Sequence, residues 1–281
     1  MSEKSLYGLL GYPVKHSFSP IMHNSAFEAL GIPAEYKLFE KKPSEIEEFL
    51  NSLFCQNISG LNITIPYKEK VIEYLDWVSR EARFTGAVNV IVVEEGNYLK
   101  GYNTDGLGFY RHLTQDLGFS IPGKKIAVLG AGGASKAVVE QLARNEAEAI
   151  AIYDIDKEKA KNLAEKINKE FPGCRAWSVS SLEELEVEDS DLLVNATPVG
   201  MKGEASLIKK ERFHPHLLVY DLIYNPPQTD LLRLARERGA RVSNGLGMLL
   251  YQGVRSFELW TEKPAPLEVM RKALEEAVRS L

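Results

Sequence analysis

Small hydrogen-bonding side chains are crowded into GYPVKHSFSPIMHN, residues 11–24 of the chain. Serine is an ordinary turn residue that bonds its own backbone, and the Ser-Pro pair also has the form of a helix start with Ser19 as the N-cap. Capping accounts for Ser19 alone. It leaves Ser17, His16 and His23 as candidate groups for binding a polar ligand.

Polar residues also mark the end of a predicted strand at residues 60–66. Alternation along this strand predicts that Asn62 and Thr64 share one face, while the two isoleucines occupy the other. Pro66 is predicted to begin a helix with Lys68 in its first turn, where a cation opposes the helix dipole. Lys68 is therefore either solvated and without a role, or held there because an ammonium group is needed.

Two later segments carry an amide and a carboxylate beside apolar strands. Asn89 stands at the start of a strand in GAVN, and Asp105 lies in NTDG at the predicted junction of two domains. The sequence NTDG alone is a common turn. Because ligands bind in clefts between a substrate domain and a dinucleotide domain, both side chains are candidate ligand groups.

A glycine-rich loop, GAGGAS, follows the apolar strand KIAVL directly and precedes a helix. In a dinucleotide-binding loop, Gly130 permits the tight turn and Gly132 lets backbone amides approach a pyrophosphate at the helix N-terminus. Ser135 stands where the third glycine of the usual pattern is found. The alternative is a glycine-rich turn that binds no ligand.

Strands and helices alternate along most of the chain, which predicts an α/β protein. In the first hundred residues we expect strands at 5–11, 35–40 and 60–66, helices at 20–31, 43–54 and 67–84, and a hairpin at 88–103. From Lys124 onward, six short apolar strands separated by helices predict a doubly wound parallel sheet of the dinucleotide-binding type. Two final helices follow without a strand.

Composition restricts the classes of function. The 281 residues are 44% hydrophobic and 26% charged with a net charge of −5, which is typical of a globular protein and gives no basic surface for nucleic acid. We expect no membrane span, no signal peptide and no metal site, since His214 and His216 form only a short loop pair. Cys55 and Cys174 are far apart, which favours a reducing compartment, the cytoplasm.

Eight segments together resemble the shikimate dehydrogenase family. They are GYPVKHSFSPIMHN, NITIPYKEK, GAVN, YNTDG, GAGGAS, NATPVGM, DLIYNP and NGLGMLLYQG, in the order in which the family has them. The resemblance implies a substrate-binding domain of residues 1–104 plus 246–281 and a Rossmann-type domain of residues 105–245. It places the active site in the cleft between them.

The resemblance also implies roles for individual residues toward shikimate or 3-dehydroshikimate. Ser17 and Ser19 would hold the substrate carboxylate, and Tyr224 and Gln252 would close the pocket. Thr64, Lys68, Asn89 and Asp105 would surround the reacting C3 oxygen, with Lys68 and Asp105 catalytic and the carrier of the proton left open between them. Asn62, His16 and His23 would support these loops. The cofactor would contact Gly130, Ala131, Gly132, Gly133, Ala134, Thr197, Leu222 and Gly245.

The end of the second strand of the Rossmann-type domain predicts which cofactor binds. The family usually has Asn-Arg-Thr there, with the arginine on the 2′-phosphate of NADP, whereas this chain has Asp154, Ile155 and Asp156. A carboxylate at this strand end bonds the ribose of NAD and repels a phosphate. The sequence therefore predicts that NAD is favoured over NADP, although Lys157 and Lys159 offer cations nearby.

Two alternatives remain for the function. A quinate dehydrogenase has the same fold and chemistry, and two serines at positions 17 and 19 favour shikimate only weakly. A non-catalytic sensor of a dinucleotide and a small acid would need neither Lys68 nor Asp105. Whether the chain forms a homodimer is left open.

Overall fold

The structure is a computed structural model and describes residues 4–15 and 17–279. The chain divides into two compact units. Unit 1 runs to Thr104 and resumes at Leu250, whereas unit 2 is Asp105–Leu249.

The described residues form twelve strands and nine α-helices. The strands are β1 (Ser5–Gly11), β2 (Ala34–Glu40), β3 (Ile58–Ile63), β4 (Trp77–Val78), β5 (Val90–Glu94), β6 (Tyr98–Tyr102), β7 (Lys125–Leu129), β8 (Ala149–Tyr153), β9 (Arg175–Ser178), β10 (Leu192–Asn195), β11 (Leu218–Asp221) and β12 (Arg241–Ser243). The helices are α1 (Ser19–Ala29), α2 (Ile46–Asn51), α3 (Arg80–Thr85), α4 (Asp105–Arg111), α5 (Gly133–Arg144), α6 (Lys157–Glu170), α7 (Asp230–Glu237), α8 (Leu246–Thr261) and α9 (Leu267–Arg279).

The second boundary between the units lies inside α8, four residues after the expected position at 245/246. Close packing explains the difference, because a Cβ atom on Gly247 would lie 2.2 Å from Cδ2 of His112. The first turn of α8 thus packs on the helical segment that follows α4, and both belong to unit 2.

Unit 1 is built on a mixed sheet with the strand order β2-β1-β3-β5-β6-β4. Strands β1, β2 and β3 run parallel, and β5 is antiparallel to β3 and β6. The predicted hairpin is confirmed, with its turn at Glu95–Asn97. Leu10, Leu50, Leu61 and Val88 are fully buried in the core of this unit, which the sheet shares with α2.

Unit 2 is the predicted doubly wound sheet. Its six parallel strands have the order β12-β11-β10-β7-β8-β9, so that the first strand lies beside the fourth at the switch point of the sheet. Leu129, Leu193 and Val219 are buried in a core between this sheet and α7. Since all strands point the same way, the loops after β7, β8, β10 and β11 lie at one edge, where such sheets bind ligands.

The helix predicted over residues 67–84 is absent. The chain forms turns at residues 65–69, a 3-10 helix at Lys70–Tyr74, strand β4 and then α3. Pairing with a distant strand prevents a continuous helix, because the Asp76 N–H donates to Leu99 O at 3.0 Å and the Asp76 side chain accepts from Leu99 N–H at 2.7 Å. The predicted helix at 43–54 is likewise broken into two 3-10 turns and the short α2.

Within the described ranges, no helix has both the length and the hydropathy that crossing a membrane requires. The same residues contain no group of three or more His, Cys, Asp or Glu side chains placed to hold a metal ion. Both cysteines are free thiols, with Cys55 exposed and Cys174 buried.

Candidate active site

The loop before α1 is organised by Ser17 rather than by a capping Ser19. Ser19 is the first residue of α1 and Phe18 is the N-cap, which makes no side-chain capping bond, so the predicted N-cap was wrong. The Ser17 hydroxyl instead accepts a hydrogen bond from the Ser19 N–H at 3.2 Å. The loop is also held to β2, where Glu40 accepts from Val14 N–H at 3.1 Å. Ser17 and Ser19 are therefore brought together, whereas His16 lies outside the described residues.

Two side chains of α1 anchor this helix on β2. Asn24 bonds both backbone groups of Tyr36, accepting from its N–H at 2.8 Å and donating to its carbonyl at 3.1 Å. His23 is fully buried and stacks on the Tyr36 ring, with ring centroids 4.6 Å apart and planes 10° apart. Burial lowers the pKa of His23 to about 3, so the imidazole is neutral. Neither ring nitrogen has a hydrogen-bond partner, which fits packing rather than proton transfer.

The end of β3 lies close to the serine loop. A Cβ atom on Gly11 would stand 2.4 Å from Thr64 Cγ2 and 2.6 Å from Val14 Cγ1, so glycine is needed at this contact. Ile63 is buried, whereas Ile65, expected on the same face, is 75% exposed because the strand has already ended. Thr64 thus stands where the chain leaves the sheet beside Gly11.

Lys68 lies in a turn and is half-buried, so the argument from a helix dipole does not apply to it. The turn is fixed on both sides of the lysine. The fully buried Tyr67 donates its hydroxyl to Lys41 O at 2.5 Å, and the Lys68 carbonyl accepts from Val88 N–H at 2.7 Å. The backbone of Lys68 is thereby placed next to the segment that carries Asn89, just before β5.

A buried hydrogen-bond network joins Asn89 to two other segments of unit 1. The Asn89 amide donates to Thr104 Oγ1 at 3.0 Å, and its oxygen accepts from Thr104 N–H at 2.8 Å. Thr104 Oγ1 also donates to the carbonyl of Gln252 in α8 at 3.2 Å. Sequence reasoning missed Thr104, because NTDG by itself is a common turn and nothing in it indicates a partner 148 residues away.

Unit 2 begins at Asp105, the first residue of α4, which is 7% exposed. Gly106 lets α4 pack closely on α5, since a Cβ atom there would lie 2.6 Å from Ala137 O. Tyr224 follows β11 and is half-buried, and burial raises the pKa of its hydroxyl, which therefore stays neutral at neutral pH.

The glycine loop has the geometry that a pyrophosphate needs. Gly130 has a φ of +100°, in the region that favours glycine, and its N–H donates to Tyr153 O at 2.7 Å. Helix α5 begins at Gly133, and a Cβ atom on the exposed Gly132 would meet nothing within 4 Å. The first amides of α5, at Gly133 and Ala134, have no acceptor within the helix and suit an anion. The residues present therefore fit a dinucleotide.

Three predicted cofactor residues, Thr197, Leu222 and Gly245, lie on neighbouring loops of unit 2. Leu222 N–H donates to Asn195 O at 2.9 Å, and a Cβ atom on Gly245 would stand 2.0 Å from Leu222 O. Asn195 Oδ1 accepts from the Thr197 hydroxyl at 2.7 Å and from its N–H at 3.1 Å. Hydrogen bonds thus tie the loops after β10 and β11 to each other.

Asp221 is buried at the centre of these two loops, and its role was not predicted from the sequence. Its carboxylate accepts from Asn195 Nδ2 at 2.9 Å, from Ile223 N–H at 3.1 Å and from Thr229 Oγ1 at 2.6 Å. Burial raises the pKa of this carboxyl, and the three hydrogen bonds oppose that shift. The available signal was a pair of polar residues, Asn195 and Asp221, each ending an apolar strand.

Asp154 faces the glycine loop. One carboxylate oxygen accepts from Ala131 N–H at 2.7 Å, and the other accepts from Asp156 N–H at 2.8 Å. Asp156 caps α6 by accepting from Lys159 N–H at 3.3 Å, and its carboxylate lies 3.5 Å from the Lys159 ammonium. Ile155 is 91% exposed. Both carboxylates are therefore engaged with donors rather than standing bare at the strand end.

Family models match three parts of the chain. Residues 9–91 match the shikimate dehydrogenase substrate binding domain, and residues 112–222 match the shikimate/quinate 5-dehydrogenase model. Residues 245–275 match the shikimate 5′-dehydrogenase C-terminal domain.

Relatives and solved structures agree over nearly the full length. A shikimate dehydrogenase (NADP(+)) of Methanopyrus kandleri is 44% identical, with 99% of this chain and 97% of the relative covered. The shikimate 5-dehydrogenase of Listeria monocytogenes, solved with shikimate and NAD, is 37% identical with a TM-score of 0.89 over 98% of this chain and 97% of that chain. The Thermus thermophilus enzyme, solved with NADP(H) and shikimate, is 36% identical with a TM-score of 0.86, and the match covers 97% of this chain and 99% of that chain.

The expectation that NAD is favoured over NADP is wrong. Curated relatives that match nearly the whole chain are named for NADP(+). The expectation treated Asp154 and Asp156 as bare charges facing the 2′-phosphate. The structure instead commits the Asp154 carboxylate to two backbone amides and places Lys159 beside Asp156.

The matches to the family models follow the order of the motifs, and the folds of the two units agree with those of the solved relatives. A relative at 44% identity over 99% of the chain leaves no large segment unaccounted for. The chain belongs to the shikimate dehydrogenase family.

Proposed function

We propose that the chain reversibly reduces 3-dehydroshikimate to shikimate with NADP(H). The observation that carries this proposal is the convergence of polar residues in unit 1. Lys68 is held by its carbonyl against Val88, the residue before Asn89, and Asn89 is bonded through Thr104 to α8 at Gln252. A substrate with several hydroxyls and a carboxylate requires many donors and acceptors in fixed positions, and a ligand that lacks one hydroxyl leaves a buried group unpaired.

The proposed division of labour follows from charge. When NADP is bound, its nicotinamide supplies the hydride chemistry. Negative charge develops on the C3 oxygen of the substrate during reduction, and the Lys68 ammonium is suited to stabilise it and to donate a proton there. Asp105 would bond the neighbouring hydroxyl and orient the ammonium. Ser17 and Ser19 would hold the carboxylate, with Thr64, Asn89, Tyr224 and Gln252 completing the contacts to the ring.

The test is absorbance of the reduced nicotinamide after mixing the protein with NADP+ and shikimate or quinate. We expect shikimate to be oxidised with a kcat/KM about tenfold or more above that for quinate, because quinate adds a tertiary hydroxyl beside the carboxylate that Ser17 and Ser19 would bind. A higher kcat/KM for quinate would reassign the substrate. No change in absorbance with any pair would favour a non-catalytic binder.

We also propose that NADP+ is used in preference to NAD+, by about tenfold or more in kcat/KM at saturating shikimate. The names of the relatives support this proposal. In this chain Lys157 and Lys159 begin α6 beside the strand end that meets the ribose. Equal or better use of NAD+ in the same assay would contradict the proposal.

A matched pair of variants tests where the 2′-phosphate binds. Lys159→Gln is expected to lower kcat/KM for NADP+ and to leave the value for NAD+ within about twofold. Lys161→Gln, at an exposed position two residues further along the same helix, serves as the control and should change neither value.

The cytoplasm is the proposed compartment. Both cysteines are free thiols, and burial raises the pKa of Cys174 to about 11, which keeps that thiol protonated and unreactive. Thiols that stay reduced suit a reducing compartment.

A further inference from the structure

Tyr36 is bonded through its hydroxyl to Asn62, which is in turn bonded to the Asn89 carbonyl. It lies in β2, is 2% exposed, and donates to Asn62 Oδ1 at 2.8 Å. Burial raises the pKa of Tyr36, so the group remains a neutral hydroxyl with one proton to give.

The direction of these hydrogen bonds is fixed by the partners of Asn62. Its Nδ2 donates to Ser256 Oγ at 2.9 Å and to Asn89 O at 3.3 Å. Turning the amide over would place its oxygen against the Asn89 carbonyl, so Oδ1 must face Tyr36. Tyr36 therefore gives its only proton to Asn62.

The network continues beyond Asn62 to α8. Ser256 donates to Gln252 O at 2.9 Å, and Thr104 donates to the same carbonyl while bonding Asn89. Tyr36 thus lies at one end of a continuous buried network, and Asn89 and Gln252 lie at the other. Chains of buried hydrogen bonds hold their members in one arrangement when every group is satisfied.

We propose that Tyr36 is a positioning residue for the ring substrate, holding Asn62 and thereby the backbone of Asn89 in place. This inference rests on the function proposed above, in which Asn89 bonds a ring hydroxyl. The Tyr36 hydroxyl itself is committed to Asn62 and does not touch the substrate.

The packing of the Tyr36 ring allows the hydroxyl to be tested alone. The centroid of the ring lies 4.6 Å from that of His23, on which it stacks, and 6.1 Å from that of Trp260. Phenylalanine keeps both contacts. Tyr36→Phe therefore removes one oxygen without opening a cavity large enough to collapse the core. It leaves Asn62 Oδ1 without its hydrogen-bond donor.

Tyr7→Phe is a matched control in the same unit. Tyr7 is 6% exposed, and its ring lies 5.2 Å from both Phe27 and Trp260. Both variants delete the phenolic oxygen of a buried tyrosine whose ring lies near Trp260. Only the Tyr36 oxygen bonds a residue that is itself bonded to Asn89.

We expect Tyr36→Phe to raise the KM for shikimate about tenfold, which corresponds to about 1.4 kcal/mol. The KM for NADP+ should stay within about twofold and kcat within about threefold of the wild type, because the change acts on substrate binding alone. Tyr7→Phe should change none of the three values by more than about twofold. If Tyr36 had a purely structural role, the two variants would change the KM for shikimate to a similar extent.

Ser256→Ala provides a second approach, should Tyr36→Phe fail to fold. It removes the other side-chain partner of Asn62 and is expected to raise the KM for shikimate about threefold without changing the KM for NADP+. In the double variant the two effects should be less than multiplicative, since both act through Asn62.

Two results would overturn the inference alone. One is an active wild type whose KM for shikimate changes by less than about twofold in both Tyr36→Phe and Ser256→Ala. The other is a Tyr7→Phe variant that raises this KM as much as Tyr36→Phe does. A wild type that does not oxidise shikimate would instead overturn the proposed function, and this inference with it.

Discussion

Replacing Lys68 by alanine is expected to lower kcat for shikimate oxidation by about 100-fold or more, with the KM for shikimate within a few fold of the wild type. The ammonium group interacts most strongly with charge that exists on the C3 oxygen only in the transition state. Its loss therefore raises the barrier more than it weakens substrate binding. Steady-state kinetics at saturating NADP+ measure both constants.

The fold should survive this substitution, because the Lys68 contact that fixes the turn is made by its carbonyl, which accepts from Val88 N–H. Lys70→Ala is the matched control, since Lys70 is exposed and lies two residues further along the same segment. It should keep kcat within about twofold. A Lys68→Ala variant with unchanged kcat and a raised KM would make Lys68 a binding residue and would refute the proposed proton donor.

The sheet of unit 2 was predictable because its signals are local. Each strand is a short apolar run that is followed by a helix or a turn. The crossovers of parallel βαβ units are right-handed, which limits the possible topologies. The six strands found in β7–β12 therefore correspond to those expected. The glycine loop was also predictable, because Gly130 and Gly132 act through backbone geometry that depends on residue type alone.

The prediction of a helix at residues 67–84 failed because the contacts that decide the structure of this segment are not local. Its apolar spacing suits a helix, but Asp76 pairs with the backbone of Leu99 and Trp77 pairs with Lys100. These partners lie more than twenty positions away, so the competing strand leaves no trace in the local pattern. Tertiary pairing outweighs a helix propensity of a few tenths of a kcal/mol per residue.

Residues that act through partners were the least visible in the sequence. Tyr36 sits in an ordinary alternating strand, and its bond to Asn62 spans 26 positions. Asp221 has the same sequence separation from Asn195. Asp154 was recognised, but the Ala131 amide that it bonds was not, and the error in cofactor preference followed from treating the carboxylate in isolation.

Asparagine in place of Asp105 is expected to lower kcat about 100-fold and to raise the KM for shikimate several-fold. Asp105 is 7% exposed, so its carboxylate acts where water screens charge poorly. In the proposed mechanism it orients the Lys68 ammonium and accepts a hydrogen bond from a substrate hydroxyl. Asparagine keeps the size of the side chain but loses the charge, which separates the electrostatic role from packing.

Asp105 is also the first residue of α4, where a negative charge stabilises a helix by up to about 1 kcal/mol. Asp230→Asn controls for that effect, because Asp230 is the first residue of α7 and is expected to take no part in the reaction. It should lower the melting temperature slightly and leave kcat within about twofold. If Asp105→Asn did no more than this, its catalytic role would be excluded.

The double variant Lys68→Ala/Asp105→Asn decides whether the two residues act as one unit. The effects of groups that share a single proton-transfer step are grossly non-additive. The kcat of the double variant should therefore be no more than about tenfold below that of the less active single variant. Independent contributions would multiply to about 10⁴-fold. A loss of that size would mean that Lys68 and Asp105 serve separate steps, with Asp105 acting on the substrate hydroxyl rather than through the lysine.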